Sequence, residues 1–211
     1  MKTFLFTIAS LVCLFVNAQQ RVVADCTITY AISTGEGSAD KDVRESLKAS
    51  TKTVYIKGND CRTDLVSPSF TQSLLYNKTT GNAVVLREFG NNKFMTKLDN
   101  KKWAAENKRY EGMTVSQVNT ETKTILGYEC KKAIIQLKDG ITTFTLYYAV
   151  NIVPSVKEFE YQFKDIPGFV LEFESEEAGS KKIKYTATKI NISPVNASRF
   201  DIPTSGYRLL N

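Results

Sequence analysis

The chain carries few residues suited to covalent or acid–base chemistry. It has 211 residues and no histidine. Ser-His-Asp and Cys-His catalytic arrangements are therefore excluded, as is any metal site with imidazole ligands. Four cysteines occur, at Cys13, Cys26, Cys61 and Cys130. No two of them have the Cys-x-x-Cys spacing of redox enzymes. Carboxylates are abundant, and the densest group is Glu172, Glu174, Glu176 and Glu177. Glu172, Glu174 and Glu176 alternate with Phe169, Leu171 and Phe173. That alternation predicts the wet face of a strand, not the converging carboxylate pair that glycoside hydrolysis needs. Gly35-Glu36-Gly37 lacks the spacing of a phosphate loop. Asp-rich calcium loops are absent, and no Ser-x-x-Lys lies in a helical setting. The expectation is a protein that is no enzyme and carries no metal or cofactor.

The elements that position these residues are mostly strands. In residues 26–33 (CTITYAIS), Ile28, Tyr30 and Ile32 share one parity and Thr27, Thr29 and Ser33 the other. In residues 158–164 (EFEYQFK), Phe159, Tyr161 and Phe163 alternate with polar residues, and residues 169–176 (FVLEFESE) repeat the pattern. A period of two predicts antiparallel strands with one apolar face. Further strands are predicted at 53–57, 62–67, 71–76, 83–89, 93–98, 114–119, 130–137, 142–150 and 182–192. Turn residues 77–82 and the sharper Lys138-Asp139-Gly140 predict hairpins. The last long strand changes phase between Ala187 and Ile190, which predicts a bulge near Thr188.

Helix signals are brief. Asp99 or Asn100 can cap a helix over 99–110 that places Trp103 and Tyr110 on one face. Residues 40–50 suit a short helix or a loop, and 194–199 one helical turn. The fold class expected is mostly β: one strongly bent antiparallel sheet, a half-barrel of about ten strands, with one or two short helices. So little helix cannot cover a wide apolar sheet face, which is an argument for a ligand cavity there.

Residues 1–18 form a predicted secretory signal, with Lys2, an apolar run from Phe4 to Val16 and the small-residue site Val16-Asn17-Ala18. Residues 19–211 are then a single domain. The apolar run is shorter than the ~20 residues that span a bilayer, so no transmembrane span is expected. The expected location is the periplasm, with outer-membrane association or an extracellular site as alternatives. Val12 and Asp25, before Cys13 and Cys26, disfavour lipidation. In an oxidising compartment Cys61–Cys130 is the candidate disulfide, and three unpaired buried cysteines are the alternative. Lys and Arg number 28 against 22 Asp and Glu. The excess is scattered over Lys101-Lys102, Lys131-Lys132 and Lys181-Lys182-x-Lys184. Nucleic-acid binders concentrate charge on one face, so no nucleic acid is expected. Nothing in the residues sets an oligomeric state.

Three stretches resemble a known group. Residues 125–133 (ILGYECKKA) resemble an I-x-G-Y-x-C-K-K-A signature, and residues 163–172 (FKDIPGFVLE) resemble the G-L-P-G-L-I-L-E run of the GLPGLI family. Residues 200–207 (FDIPTSGY) resemble the F-x-I-P-x-G-Y ending of related exported proteins. Asp165-Ile166 stands where Gly-Leu is usual. The resemblance implies an exported protein of Bacteroidetes-type bacteria with a fold related to the LolA/LolB lipoprotein carriers, in which a bent sheet cups acyl chains. On their own chemistry, Pro167-Gly168 suits a tight turn or close backbone approach, Gly127 a bend, and Ile202-Pro203 with Gly206-Tyr207 a terminal segment pinned to the sheet.

The function expected is that of a binding protein holding a lipid, an acyl chain or a lipidated partner on the concave face. The proposed lining is Ile28, Tyr30, Ile32, Phe159, Tyr161, Phe163, Phe169, Leu171 and Phe173. The alternatives are an envelope interaction module with a filled core and, third, a hydrolase with an unrecognised site.

Overall fold

A computed structural model describes residues 20–34, 41–177 and 181–210. The expected signal at 1–18 lies outside the described residues. In chain order the elements are β1 (Arg21–Val23), β2 (Asp25–Thr34), α1 (Lys41–Lys48), β3 (Thr51–Lys57), β4 (Asp60–Val66), β5 (Thr71–Asn77), β6 (Asn82–Phe89) and β7 (Asn92–Leu98). There follow α2 (Asn100–Glu106), β8 (Thr114–Ile125), β9 (Tyr128–Gln136), β10 (Thr143–Ala149), β11 (Ile152–Pro154), β12 (Phe169–Glu177), β13 (Lys181–Asn191) and β14 (Arg208–Leu210).

Twelve strands form one open, bent sheet in the order β14-β7-β6-β5-β4-β3-β2-β13-β12-β10-β9-β8. All neighbours are antiparallel except β14 and β7, which run parallel. The short strands β1 and β11 pair separately, also in parallel. Two meanders thus meet at β2–β13. After β7 the chain must travel from one edge of the sheet to the other, and it starts that journey through α2. Asp99 caps α2, its side chain accepting from the Lys102 amide at 2.8 Å.

Local signals act where they are expected. On β2, Cys26, Ile28, Tyr30 and Ile32 are buried, while the intervening residues are not. The β13–β2 register shifts between Ala187 and Lys189, so Thr188 is the bulged residue. The β5–β6 and β9–β10 hairpins turn through Gly81 at φ 70° and Gly140 at φ 72°.

Residues 158–164 correct the reading of a strand. They fold as two 3-10 turns, Lys157–Phe159 and Tyr161–Phe163. Phe159, Gln162 and Phe163 are buried, a spacing of three and four that a helical turn satisfies. The backbone bonds close locally, from Phe163 N to Glu160 O at 2.9 Å and from Ile166 N to Phe163 O at 2.9 Å. The candidate disulfide is also corrected. Cys61 lies on β4 and Cys130 on β9, with five strands between them in the sheet order. Cys26, Cys61 and Cys130 are all buried and free.

The β8–β9 hairpin explains Gly127. Ile125 pairs with Tyr128, so Leu126 and Gly127 alone form the loop. Both have positive φ, 51° and 83°. This is the two-residue turn that Asn-Gly serves best, and leucine pays for the left-handed conformation. Leu126 is 40% exposed, so it loses little packing when replaced. Leu126→Asn is expected to raise stability by about 0.5–1 kcal/mol. The check is a higher urea midpoint at unchanged m-value; an equal or lower midpoint refutes it.

Candidate functional site: the concave face of the sheet

Eight of the nine residues expected to line a cavity come together, as packed core. Ile28, Tyr30, Ile32, Phe159, Phe163, Phe169, Leu171 and Phe173 are buried. Phe159 contacts Phe163 and Phe169 at ring-centroid distances of 5.3 and 5.8 Å. Phe173 stacks on Tyr185 at 4.6 Å and meets Phe163 edge-on at 5.0 Å and Tyr30 at 5.7 Å. The Tyr30 hydroxyl donates to Val170 O at 2.7 Å, and burial pushes its pKa well up. The residues of the two 3-10 turns fill the hollow of the sheet at this end. Tyr161 is the exception: half-buried, it turns to Tyr110 at 6.1 Å and Trp103 at 6.4 Å.

One polar group enters this core, and another is buried on the opposite face of the sheet. Lys52 is 8% exposed and faces inward, opposite Tyr30 in the β2–β3 register. It pairs with Glu160, and its Nζ lies 5.5 and 5.0 Å from the Phe173 and Tyr185 ring centres. Glu172 keeps the outward face that alternation predicts, aligned with Thr186 and Ala31, but it is not wet there. It is buried, because Lys123 and Lys184 cover its carboxylate and Thr186 donates to it at 3.1 Å. Burial pushes the Glu172 carboxyl up, but the two ammonium groups outweigh it and hold the pKa below its ordinary value. Strict alternation also ends here: Tyr147 pairs with Glu172 and Tyr148 with Val170, leaving Leu171 as a bulge. Burial raises the thiol of Cys26 to about 12 and that of Cys130 to about 11, and pushes Cys61 up too. Thiolate is the reactive form, so these cysteines serve packing.

The other half of the concave face is open. Antiparallel partners directly opposite one another share a face. Ile28 is thereby aligned through Val54 and Thr63 with Leu74, Val85 and Thr96. Tyr30 is aligned through Lys52 and Leu65 with Gln72, Arg87 and Phe94. On β5–β7 these inward residues are only half-buried, and Arg87 is exposed. The outward residues Leu75, Val84, Leu86 and Met95 are the buried ones, with Tyr207 packed against them. Tyr207 also bonds Glu88, and burial together with that carboxylate raises its pKa to about 12. The terminal segment therefore covers the convex side, as its proline and glycine motif suggests.

Between the inward face of β5–β7 and α2 lies an open cleft of about 290 Å³. Leu74, Val85, Thr96 and Leu98 line it from the sheet, and Trp103, Glu106 and Asn107 from the helix side. Gln72 and Arg87 stand in the next row along the strands. Phe89, two residues beyond Arg87 on the same face of β6, stacks on Phe70 at 6.0 Å. Trp103 separates the cleft from the aromatic core, its ring 5.8 Å from Tyr76. Clean period-two alternation does not mark these residues. The available signal was the continuous apolar run in Leu74-Leu75-Tyr76 and in residues 83–86, which marks strands covered on both faces.

No family model matches the chain. No curated protein matches it. Among solved structures, the crystal structure of a LolA superfamily protein from Nitrosomonas europaea is similar at 10% identity and a TM-score of 0.33, covering 85% of this chain and 91% of that one. The architecture described above stands on this chain's own strand order and register.

Proposed function

We propose that the protein is an exported, non-enzymatic binding protein that holds an acyl chain, of a lipid or of a lipidated partner, in the groove across β5–β7 beneath α2. One observation carries this reading: Leu74, Val85 and Leu98 face inward yet remain half-buried beside the cleft, while the outward Leu75, Val84, Leu86 and Met95 of the same strands are buried. Across the strands the cleft runs from Leu74 on β5 through Val85 on β6 to Thr96 and Leu98 on β7. Apolar burial drives association at about 25 cal/mol per Å². The aromatic core first expected to line the site lies beyond Trp103, whose ring is 6.4 Å from that of Tyr161. The motif resemblance to exported GLPGLI-type proteins supports the same reading. The filled core favours a second reading, an envelope module without ligand.

The test separates the two. The protein is purified without detergent from its own cell envelope and analysed by native mass spectrometry, and a fluorescent fatty acid is titrated into it. An adduct of lipid mass and saturable binding are expected. Val85→Glu is expected to weaken binding at least tenfold with an unchanged circular dichroism spectrum, because it places a charge in the apolar floor. No adduct and no saturable binding would establish the module reading instead.

A further inference from the structure

The groove has a cation at its mouth with unused bonding capacity. Arg87 faces inward from β6 and is nevertheless exposed. Its Nε–H donates to Gln72 Oε1 at 3.0 Å, across the β5–β6 pair. That bond sets the plane of the guanidinium. Both Nη groups have no hydrogen-bond or ion-pair partner among the described residues. Arg62 shows the contrast: it bonds Asp64 at 2.7 Å, Ser73 at 3.2 Å and the Arg199 carbonyl at 2.9 Å, and so is spent on structure. Glu106 lines the same cleft from α2 but makes no ion pair with Arg87 among the described residues. Immediately deeper in the groove stand Leu74 and Val85, a paired apolar row.

We propose that the groove selects amphiphiles with an anionic head group, a carboxylate or a phosphate, bound by the two Nη groups of Arg87 while the chain runs over Leu74 and Val85 toward Trp103. A planar guanidinium matches such anions with two parallel hydrogen bonds, which an ammonium cannot do. Gln72 is a positioning residue: it holds the fork with its open edge toward the groove. The proposal rests on the acyl-chain reading and adds the chemistry of the head.

The experiment uses the full mature chain and displacement of a neutral fluorescent acyl probe by oleate, by methyl oleate and by oleoyl lysophosphatidate. Wild type is expected to bind at least one anion about fivefold tighter than the methyl ester, the upper scale of an exposed ion pair. The anion that gains, carboxylate or phosphate, identifies the head. Arg87→Gln is expected to abolish the preference and leave methyl oleate unchanged; Arg87→Lys is expected to restore only part of it. Gln72→Leu is expected to reduce the preference without altering methyl oleate binding. Equal affinity for ester and anions, or a preference that survives in Arg87→Gln, overturns the anion proposal and leaves the acyl groove standing. Absence of binding by all three competitors and the probe overturns the acyl reading and the proposal with it.

Discussion

Replacing Glu160 with alanine is expected to destabilise the protein by about 3–5 kcal/mol, the cost of leaving one member of a buried ion pair uncompensated. Lys52 cannot escape to water: its side chain is 10% exposed, and its partner's is 21% exposed. The faces of Phe173 and Tyr185 would retain some attraction for the stranded ammonium, which places the expected loss toward the lower end of that range. Glu160 also sits between the two 3-10 turns, so the pair ties the filling of the core to the sheet. The double variant Lys52→Met/Glu160→Gln is expected to recover most of the loss, because an apolar side chain of similar volume needs no counter-charge. Urea unfolding of the two variants is the measurement. A loss below about 1 kcal/mol for the single variant, or no recovery in the double, would show that water reaches the ammonium.

Gly168→Ala is expected to cost more than the ~1–3 kcal/mol typical of an overpacked site. A Cβ there would lie 2.1 Å from the Ala149 carbonyl oxygen and 2.6 Å from Tyr148 Cδ2. The obstructing oxygen belongs to the backbone of β10, whose Ala149 pairs with Phe169 on β12. Relief therefore requires separating two central strands. Gly140 is the control: its φ is 72°, but nothing stands within 4 Å of a Cβ built there. Gly140→Ala is expected to cost about 1–2 kcal/mol, from backbone strain alone. Comparable midpoints for the two variants would contradict the close approach of β10 and β12. The Pro167-Gly168 dipeptide thus enters its strand under a steric constraint specific to this packing.

Features set within a few residues of chain were legible in the sequence. The alternation of Ile28, Tyr30 and Ile32, the phase change at Thr188, the Asp139-Gly140 turn and the Asp99 cap each act through neighbours along the chain or across one hairpin. Residues 158–164 carried the same period-two pattern but formed helical turns. Their backbone has no strand to pair with, so its hydrogen bonds close locally, and the apolar positions Phe159 and Phe163 serve a four-residue spacing equally well. The Cys61–Cys130 pairing was illegible for a related reason: it depends on how many strands separate β4 from β9. Glu172 looked solvent-facing because Lys123, which helps cover it, comes from β8 at the far edge of the sheet.

By itself, then, the amino-acid order determined a mostly β chain, its hairpins, its bulge, its helix cap and the want of histidine chemistry. Only tertiary structure decided which apolar face is filled and which is open. Leu74 and Leu75 are adjacent leucines of one strand. One remains half-open to a groove, and the other is buried beside Tyr207 of the terminal segment. Their difference is made by residues more than a hundred positions away, because burial is a property of what covers a side chain and a strand presents its neighbours to opposite sides.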